Sequence, residues 1–99
     1  MSAAVALESG HLKIHGEMGF ATVLELLAQT RALIGDGQGR LVIDLAEVGR
    51  VDSAGLALMI EWLRLAQRSG RELSFRHLPA QLQAIAEASD LEGILPVES

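Results

Sequence analysis

The sequence predicts one α/β domain, with a mixed sheet of about four strands and its helices mainly on one face. Short apolar segments alternate with longer amphipathic ones, which is typical of strands and helices in turn. The first two strands are close enough to pair antiparallel, whereas the later helical connections favour parallel neighbours. The chain has 99 residues, enough for a single core.

The first half of the chain predicts two strands and a helix. Val5–Leu7 and Leu12–His15 flank a turn at Gly10, so they should form a hairpin at one sheet edge. Apolar residues at helical spacing then predict the helix, and they are Phe20, Val23, Leu24, Leu27 and Ile34. The loop Gly35–Gly39 ends this helix and precedes a strand, the reverse of a phosphate-binding loop, so nucleotide binding is not expected.

The second half begins with a strand at Leu41–Leu45, whose unbroken apolar run indicates burial on both faces. A long helix follows and ends at Ser69 and Gly70. Glu72–Arg76 then predicts a strand, and Ala80–Ala88 a final helix that starts at Pro79.

The turn before the long helix is the first candidate site. Asp52 and Ser53 stand where a helix N-cap belongs, because their side-chain oxygens can accept hydrogen bonds from first-turn amides. Gly55 would allow another backbone segment to approach closely. A hydroxyl held at this position is accessible to a partner protein or a kinase.

The long helix is apolar around more of its circumference than a helix on one sheet face needs. A stripe formed by Leu56, Ile60 and Leu63 is widened by Met59 on one side and by Trp62 further round. Either neighbours inside the domain bury both sides, or a partner protein covers one. The sole tryptophan, on a chain that is 49% apolar, is then the candidate anchor of an interface.

Two segments together resemble the signature of STAS domains, the family of bacterial anti-sigma-factor antagonists and related modules. They are the strand Val42-Ile-Asp-Leu45 and the turn Asp52-Ser-Ala-Gly-Leu56. The run Arg50–Met59, the scarcity of aromatic residues and the ending Ile94–Val97 are similar to the MlaB-like branch, the cytoplasmic STAS subunit of the Mla phospholipid ABC transporter.

The resemblance implies a non-enzymatic regulatory subunit without a cofactor. Its partner would be the MlaF-like ATPase of a transporter that maintains outer-membrane lipid asymmetry, with indirect links to a permease and a membrane-anchored lipid-binding protein. Together with the turn and the wide apolar arc, it predicts a partner-binding set of Asp52, Ser53, Ala54, Gly55, Leu56, Met59 and Trp62.

Two alternatives remain open. In anti-sigma-factor antagonists the serine that matches Ser53 is phosphorylated by a partner kinase, so this chain could be such a switch. A small enzyme that uses Asp52 and Ser53, with Asp44 as a second carboxylate, is the other alternative. Structural roles at a strand end and a helix cap explain these residues more simply.

Charge and composition exclude several classes. Eight basic against thirteen acidic residues give a net charge of -5, which argues against nucleic-acid binding. Arg64, Arg68 and Arg71 are expected to be surface charges. The uncharged run Ala54–Ile60 is too short to span a bilayer. No signal peptide is recognisable, which predicts a cytoplasmic protein held at the inner membrane only through its partner.

Metal chemistry is not expected either. The chain has no cysteine. His11 and His15 would lie on one face of a strand but roughly 13 Å apart, which is too far for one metal ion. His77 adds no recognisable ligand motif.

Overall fold

A four-stranded sheet with strand order β1-β2-β3-β4 forms the centre of the computed structural model, which describes residues 3–8 and 10–98. Three α-helices and a short 3₁₀ helix complete the fold. In chain order the elements are β1 (Ala3–Glu8), β2 (His11–Met18), α1 (Val23–Gly35), β3 (Leu41–Val51), α2 (Ser53–Arg68), β4 (Leu73–Arg76), α3 (Ala80–Ala88) and the 3₁₀ helix (Glu92–Ile94).

The sheet is mixed, as the sequence predicts. β1 and β2 pair antiparallel at one edge, whereas β2 with β3 and β3 with β4 pair parallel. Gly10, in the turn of the hairpin, has a φ of 81°, a conformation that favours glycine. Residue 9 of the predicted turn lies outside the described residues.

The helices cover one face of the sheet, because alternate strand residues share a buried core with residues of all three helices. Leu12 and Ile43 on the strands, for example, are buried together with Leu26 of α1 and Leu82 of α3. The intervening strand residues face away from the helices. Among them Lys13, Asp44 and Arg76 line a shallow cavity on the opposite face.

The wide apolar arc of α2 is buried within the domain, because α2 packs between α1 and α3 above the sheet. The Trp62 side chain is 0% exposed, and its indole N–H donates to Thr30 Oγ1 at 2.7 Å. Met59 is also 0% exposed, and Leu56 is buried. The prediction that these three side chains contact a partner directly is therefore wrong for this structure, since neighbouring elements already cover them.

The start of α1 differs from the prediction. Helical spacing placed Phe20 and Leu24 on the apolar face, but the helix begins at Val23, and its fully buried residues are Leu26, Thr30 and Ile34. Phe20 lies in the preceding turn and is 85% exposed, and Leu24 is 79% exposed. Val23, Leu27 and Ile34 of the predicted face do pack against the core, and the inward side also includes Thr30, the partner of Trp62.

Arg71 has a structural role that its charge did not predict. Its guanidinium donates to the carbonyl oxygens of Leu33, Ile34, Gln38 and Gly39 at 2.9 to 3.2 Å. These carbonyls belong to the last turn of α1 and the following loop, where they have no intrahelical hydrogen-bond donors. The guanidinium also fills the loop, because a Cβ added at Gly37 would overlap it.

Candidate protein-interaction site at the start of helix α2

The turn between β3 and α2 is fixed by the side chain of Asp52. Asp52 is the N-cap of α2, with an extended backbone, and its Oδ1 accepts a hydrogen bond from the Ala54 N–H at 2.8 Å. The Gly55 N–H donates to the backbone oxygen of Asp52 at 2.9 Å. The helix therefore starts at a defined position with two of its first-turn amides satisfied.

The same carboxylate also holds the loop between β2 and α1. Asp52 Oδ2 accepts from the Phe20 N–H at 3.0 Å. The hydrogen bond from Phe20 is the main cause that lowers the pKa of Asp52, and those from Ala54 and Gly55 add to it against a smaller effect of burial. β2 and β3 are parallel, so the loops that follow them meet at one edge of the sheet.

Two glycines permit this close approach. A Cβ added at Gly55 would overlap the carbonyl oxygen of Met18, the last residue of β2. A Cβ added at Gly19 would lie 2.7 Å from Asp52 Oδ2, well inside van der Waals contact. The loop and the helix start therefore form one braced unit, as the prediction for Gly55 required.

Ser53 is exposed and is the first residue of α2. Within residues 3–8 and 10–98 its hydroxyl makes no hydrogen bond, and the side-chain cap of the helix comes from Asp52. The sequence treated both residues as candidate caps, and the structure separates their roles. The Ser53 hydroxyl is thus available to a partner molecule.

Of the seven predicted contact residues, three reach the surface together. Asp52 and Ser53 are exposed and Ala54 is half-buried. These three residues are called the α2-start surface below. Gly55 is buried, and it supports the surface through its backbone.

Two apolar residues that helical spacing assigned to the apolar face of α1 are exposed beside this surface. Phe20 lines a shallow cavity of about 220 Å³ together with Glu17, Arg50 and Asp52. Leu24 follows in the first turn of α1. Gly19 and Thr22 were the available signals, since a glycine and a threonine here favour a turn and a helix start after Phe20.

The second carboxylate proposed for catalysis lies elsewhere. Asp44 and Asp52 are eight residues apart in sequence. The chain between them is almost entirely the extended strand β3, so the two residues are roughly 25 Å apart. Asp44 Oδ1 accepts a hydrogen bond from His77 Nδ1 at 2.9 Å. Burial raises the pKa of Asp44, but hydrogen bonds from His77 and Ala46 outweigh it and leave the pKa lowered.

Other kinds of site find little support in the described part of the chain. Residues 3–8 and 10–98 contain no cluster of three or more His, Asp or Glu side chains that could hold a metal ion. No described helix is long and apolar enough to cross a bilayer. An open groove of about 540 Å³ lies between the later part of α2 and the C-terminal segment and includes Ile60, Leu63 and Ile94.

Comparison with known proteins decides the family. The model of the family described as "Mlab, STAS domain" matches residues 1–96. This chain belongs to that family. No curated protein sequence matches the chain.

Solved structures show the same fold. An anti-sigma-factor antagonist STAS domain protein from Planctomyces limnophilus is 13% identical, with a TM-score of 0.75 and coverage of 100% of this chain and 91% of that chain. An anti-sigma factor antagonist from Mycobacterium paratuberculosis is 24% identical, with a TM-score of 0.71 and coverage of 96% and 82%. The antagonist SpoIIAA in its unphosphorylated form is 12% identical, with a TM-score of 0.69 and coverage of 98% and 87%.

A regulatory role is common among STAS domains, so family membership does not by itself identify the turn before α2 as the binding site. STAS domains are generally non-enzymatic regulatory domains that interact with partner proteins. What this chain contributes is the braced turn with its free hydroxyl and its exposed apolar neighbours.

Replacing Asp52 by asparagine should remove a pH-dependent contribution to stability. The folded-state pKa of Asp52 is lowered from 3.8, so the ionised carboxylate stabilises the fold above that value, and this contribution is lost as the pH falls through the lower folded-state pKa. Urea unfolding of both proteins should show a difference that is constant above about pH 5 and shrinks below it. Asp44 is present in both proteins, so its titration cancels. A difference that persists unchanged to the lowest pH would contradict this role for Asp52.

Proposed function

We propose that this STAS domain is a non-enzymatic subunit that binds the ATPase of a phospholipid-trafficking ABC transporter through the α2-start surface. The observation that carries the proposal is the unbonded Ser53 hydroxyl on a braced, exposed turn. The family model described as "Mlab, STAS domain" supports the choice of partner. Binding would stabilise the ATPase and support its ATP hydrolysis, and the domain would reach the inner membrane only through this partner.

A binding role fits the chemistry of the turn better than catalysis does. A serine nucleophile needs a general base within hydrogen-bond distance, typically about 2.6 to 3.2 Å. Ser53 has no such neighbour in the described residues. In this proposal the ATPase links the domain to the transporter's permease and lipid-binding protein, which do not touch the domain themselves. The transporter maintains outer-membrane lipid asymmetry.

A phosphorylation-switched anti-sigma-factor antagonist is the second candidate. It is supported by the accessible Ser53 hydroxyl and by the fold shared with several anti-sigma factor antagonists. A phosphate on Ser53 would gain from the positive end of α2 but would be repelled by the adjacent Asp52 carboxylate.

Purification of the tagged chain from its own host separates the two candidates. Recovery of an ABC-transporter ATPase, whose ATP turnover then rises when the purified chain is added, is the expected result. The chain alone should neither bind nor hydrolyse ATP, because Arg71 fills its only glycine-rich loop. Recovery of an anti-sigma kinase that phosphorylates Ser53 would favour the second candidate and contradict the first.

Replacing Ser53 by glutamate should weaken ATPase binding by about 100-fold or more, because it introduces a charge that the contact would have to desolvate. Ser53→Ala is the matched control. It should retain binding within about tenfold and change the free energy of unfolding by less than about 0.5 kcal/mol, since Asp52 supplies the cap. Isothermal titration of the two folded variants with the purified ATPase gives both affinities. Equal affinities for Ser53→Glu and wild type would remove this turn from the interface.

A further inference from the structure

We infer that Phe20 and Leu24 form the apolar anchor of the interface, and that the partner receives them in an apolar pocket with a basic rim. The inference rests on the proposed function and specifies the chemistry of its partner surface. These two residues are called the α1-start patch below. The partner is a protein rather than a lipid surface, because the patch lies beside the α2-start surface and its surroundings are mainly acidic.

The α1-start patch consists of the two most exposed large apolar side chains among the described residues. Phe20 is 85% and Leu24 79% exposed, although each is a large apolar side chain that water solvates poorly. Neither contributes to the buried core. Phenylalanine is one of the aromatic residue types that are enriched in protein interfaces relative to the rest of the surface.

Position joins the α1-start patch to the α2-start surface. Asp52 accepts from the Phe20 N–H with one carboxylate oxygen and from the Ala54 N–H with the other. A partner that reaches the Ser53 hydroxyl therefore meets Phe20 on the same braced unit. Trp62, the anchor expected from the sequence, is buried and cannot take this role.

The charges around the patch specify the partner. Glu17 and Asp52 line the same shallow cavity as Phe20, and Glu25 lies in the first turn of α1 beside Leu24. Arg50 is the only basic side chain that lines this cavity within the described residues. The excess of carboxylates, on a chain of net charge -5, complements lysine and arginine on a partner and disfavours an anionic bilayer.

Truncation of the patch tests the apolar part of the inference. Phe20→Ala should weaken binding to the purified ATPase by at least about 30-fold, the loss expected for an interface anchor. Leu7→Ala is the matched control, because Leu7 is 60% exposed but lies at the hairpin end of the sheet. It should change affinity by less than about twofold. Circular dichroism confirms that both variants are folded.

Charge reversal tests the basic rim. Glu25→Lys should slow association with the ATPase about fivefold at low salt and by much less at high salt. Asp36→Lys makes the same change of charge at the far end of α1, about 16 Å away along the helix axis, and should have a smaller effect. Association rates from biolayer interferometry provide the comparison.

The outcomes separate this inference from the proposed function. If the ATPase fails to bind the wild-type chain, the proposed function fails and the inference falls with it. If the ATPase binds wild type and Phe20→Ala equally, only the inference is wrong. Phe20-dependent flotation of the chain with phosphatidylglycerol vesicles would also overturn it, by showing that the patch binds membrane.

Discussion

Replacing Trp62 by alanine should lower the free energy of unfolding by about 3 to 5 kcal/mol, because it removes the largest side chain of the core. The indole lies between α1 and the sheet. It donates to Thr30 Oγ1 at 2.7 Å, and its ring centroid is 6.4 Å from that of Phe75. Trp62 of α2 therefore fills the space between α1 and the sheet, and its truncation would leave a cavity there.

Trp62→Phe is the matched control, since it keeps an aromatic ring but removes the N–H donor and part of the volume. It should cost about 1 to 3 kcal/mol, less than alanine. The free wild-type protein should already emit in the blue, and partner binding should leave that emission unshifted, because Trp62 is the only tryptophan. A Trp62→Ala variant with wild-type stability and weakened ATPase binding would instead return Trp62 to the interface.

Replacing Gly55 by alanine should destabilise the fold by about 2 to 3 kcal/mol, a result opposite in sign to helix propensity. Alanine within a helix is ordinarily more favourable than glycine by about 1 kcal/mol. At position 55, however, the added methyl group would overlap the carbonyl oxygen of Met18 and would lie 3.3 Å from its carbonyl carbon. Backbone atoms cannot move aside as a flexible side chain can, so the helix start must separate from β2.

Ala57→Gly on the exposed side of the same helix is the control for propensity. It should cost about 1 kcal/mol, and urea unfolding of both variants gives the comparison. Gly55→Ala should also weaken partner binding, because displacement of the helix start breaks the hydrogen bond between Asp52 and Phe20. A stabilised Gly55→Ala variant would show that the close approach of α2 to β2 is not required.

The sequence predicted those parts of the fold that local signals determine. The edge hairpin, the final helix at Ala80–Ala88 and the Asp52 cap follow from turn residues, helix boundaries and side-chain capping, which act over a few residues. β3 is longer than expected and extends to Val51. In the second half of β3 apolar and polar residues do not alternate clearly. The strand continues there because it pairs with β2, which the sequence pattern did not reveal.

The site was predicted less completely because its surface depends on packing. Apolar spacing alone could not distinguish the exposed Phe20 from the buried Leu26, since only the docking of α1 on α2 decides which side faces inward. The same docking buries Trp62. The wide apolar arc of α2 is compatible both with a helix that has neighbours on two sides and with an interface helix, so the sequence could not distinguish the two. Asp52 was placed correctly, but its second hydrogen bond, to Phe20 32 residues away in sequence, required the fold.

Hydrogen–deuterium exchange of the wild-type chain with and without the purified ATPase is the most direct measurement of the interface. The start of α2 is an exposed helix end, where backbone hydrogen bonds open more readily than in the core, so amides near Ser53 should exchange faster than core amides until a partner covers them. Binding through the α2-start surface and the α1-start patch should slow exchange in residues 19–24 and 52–56 and leave the groove between α2 and the C-terminal segment unchanged. Slower exchange confined to residues 60–67 and 93–96 would place the partner in that groove and contradict the α2-start interface.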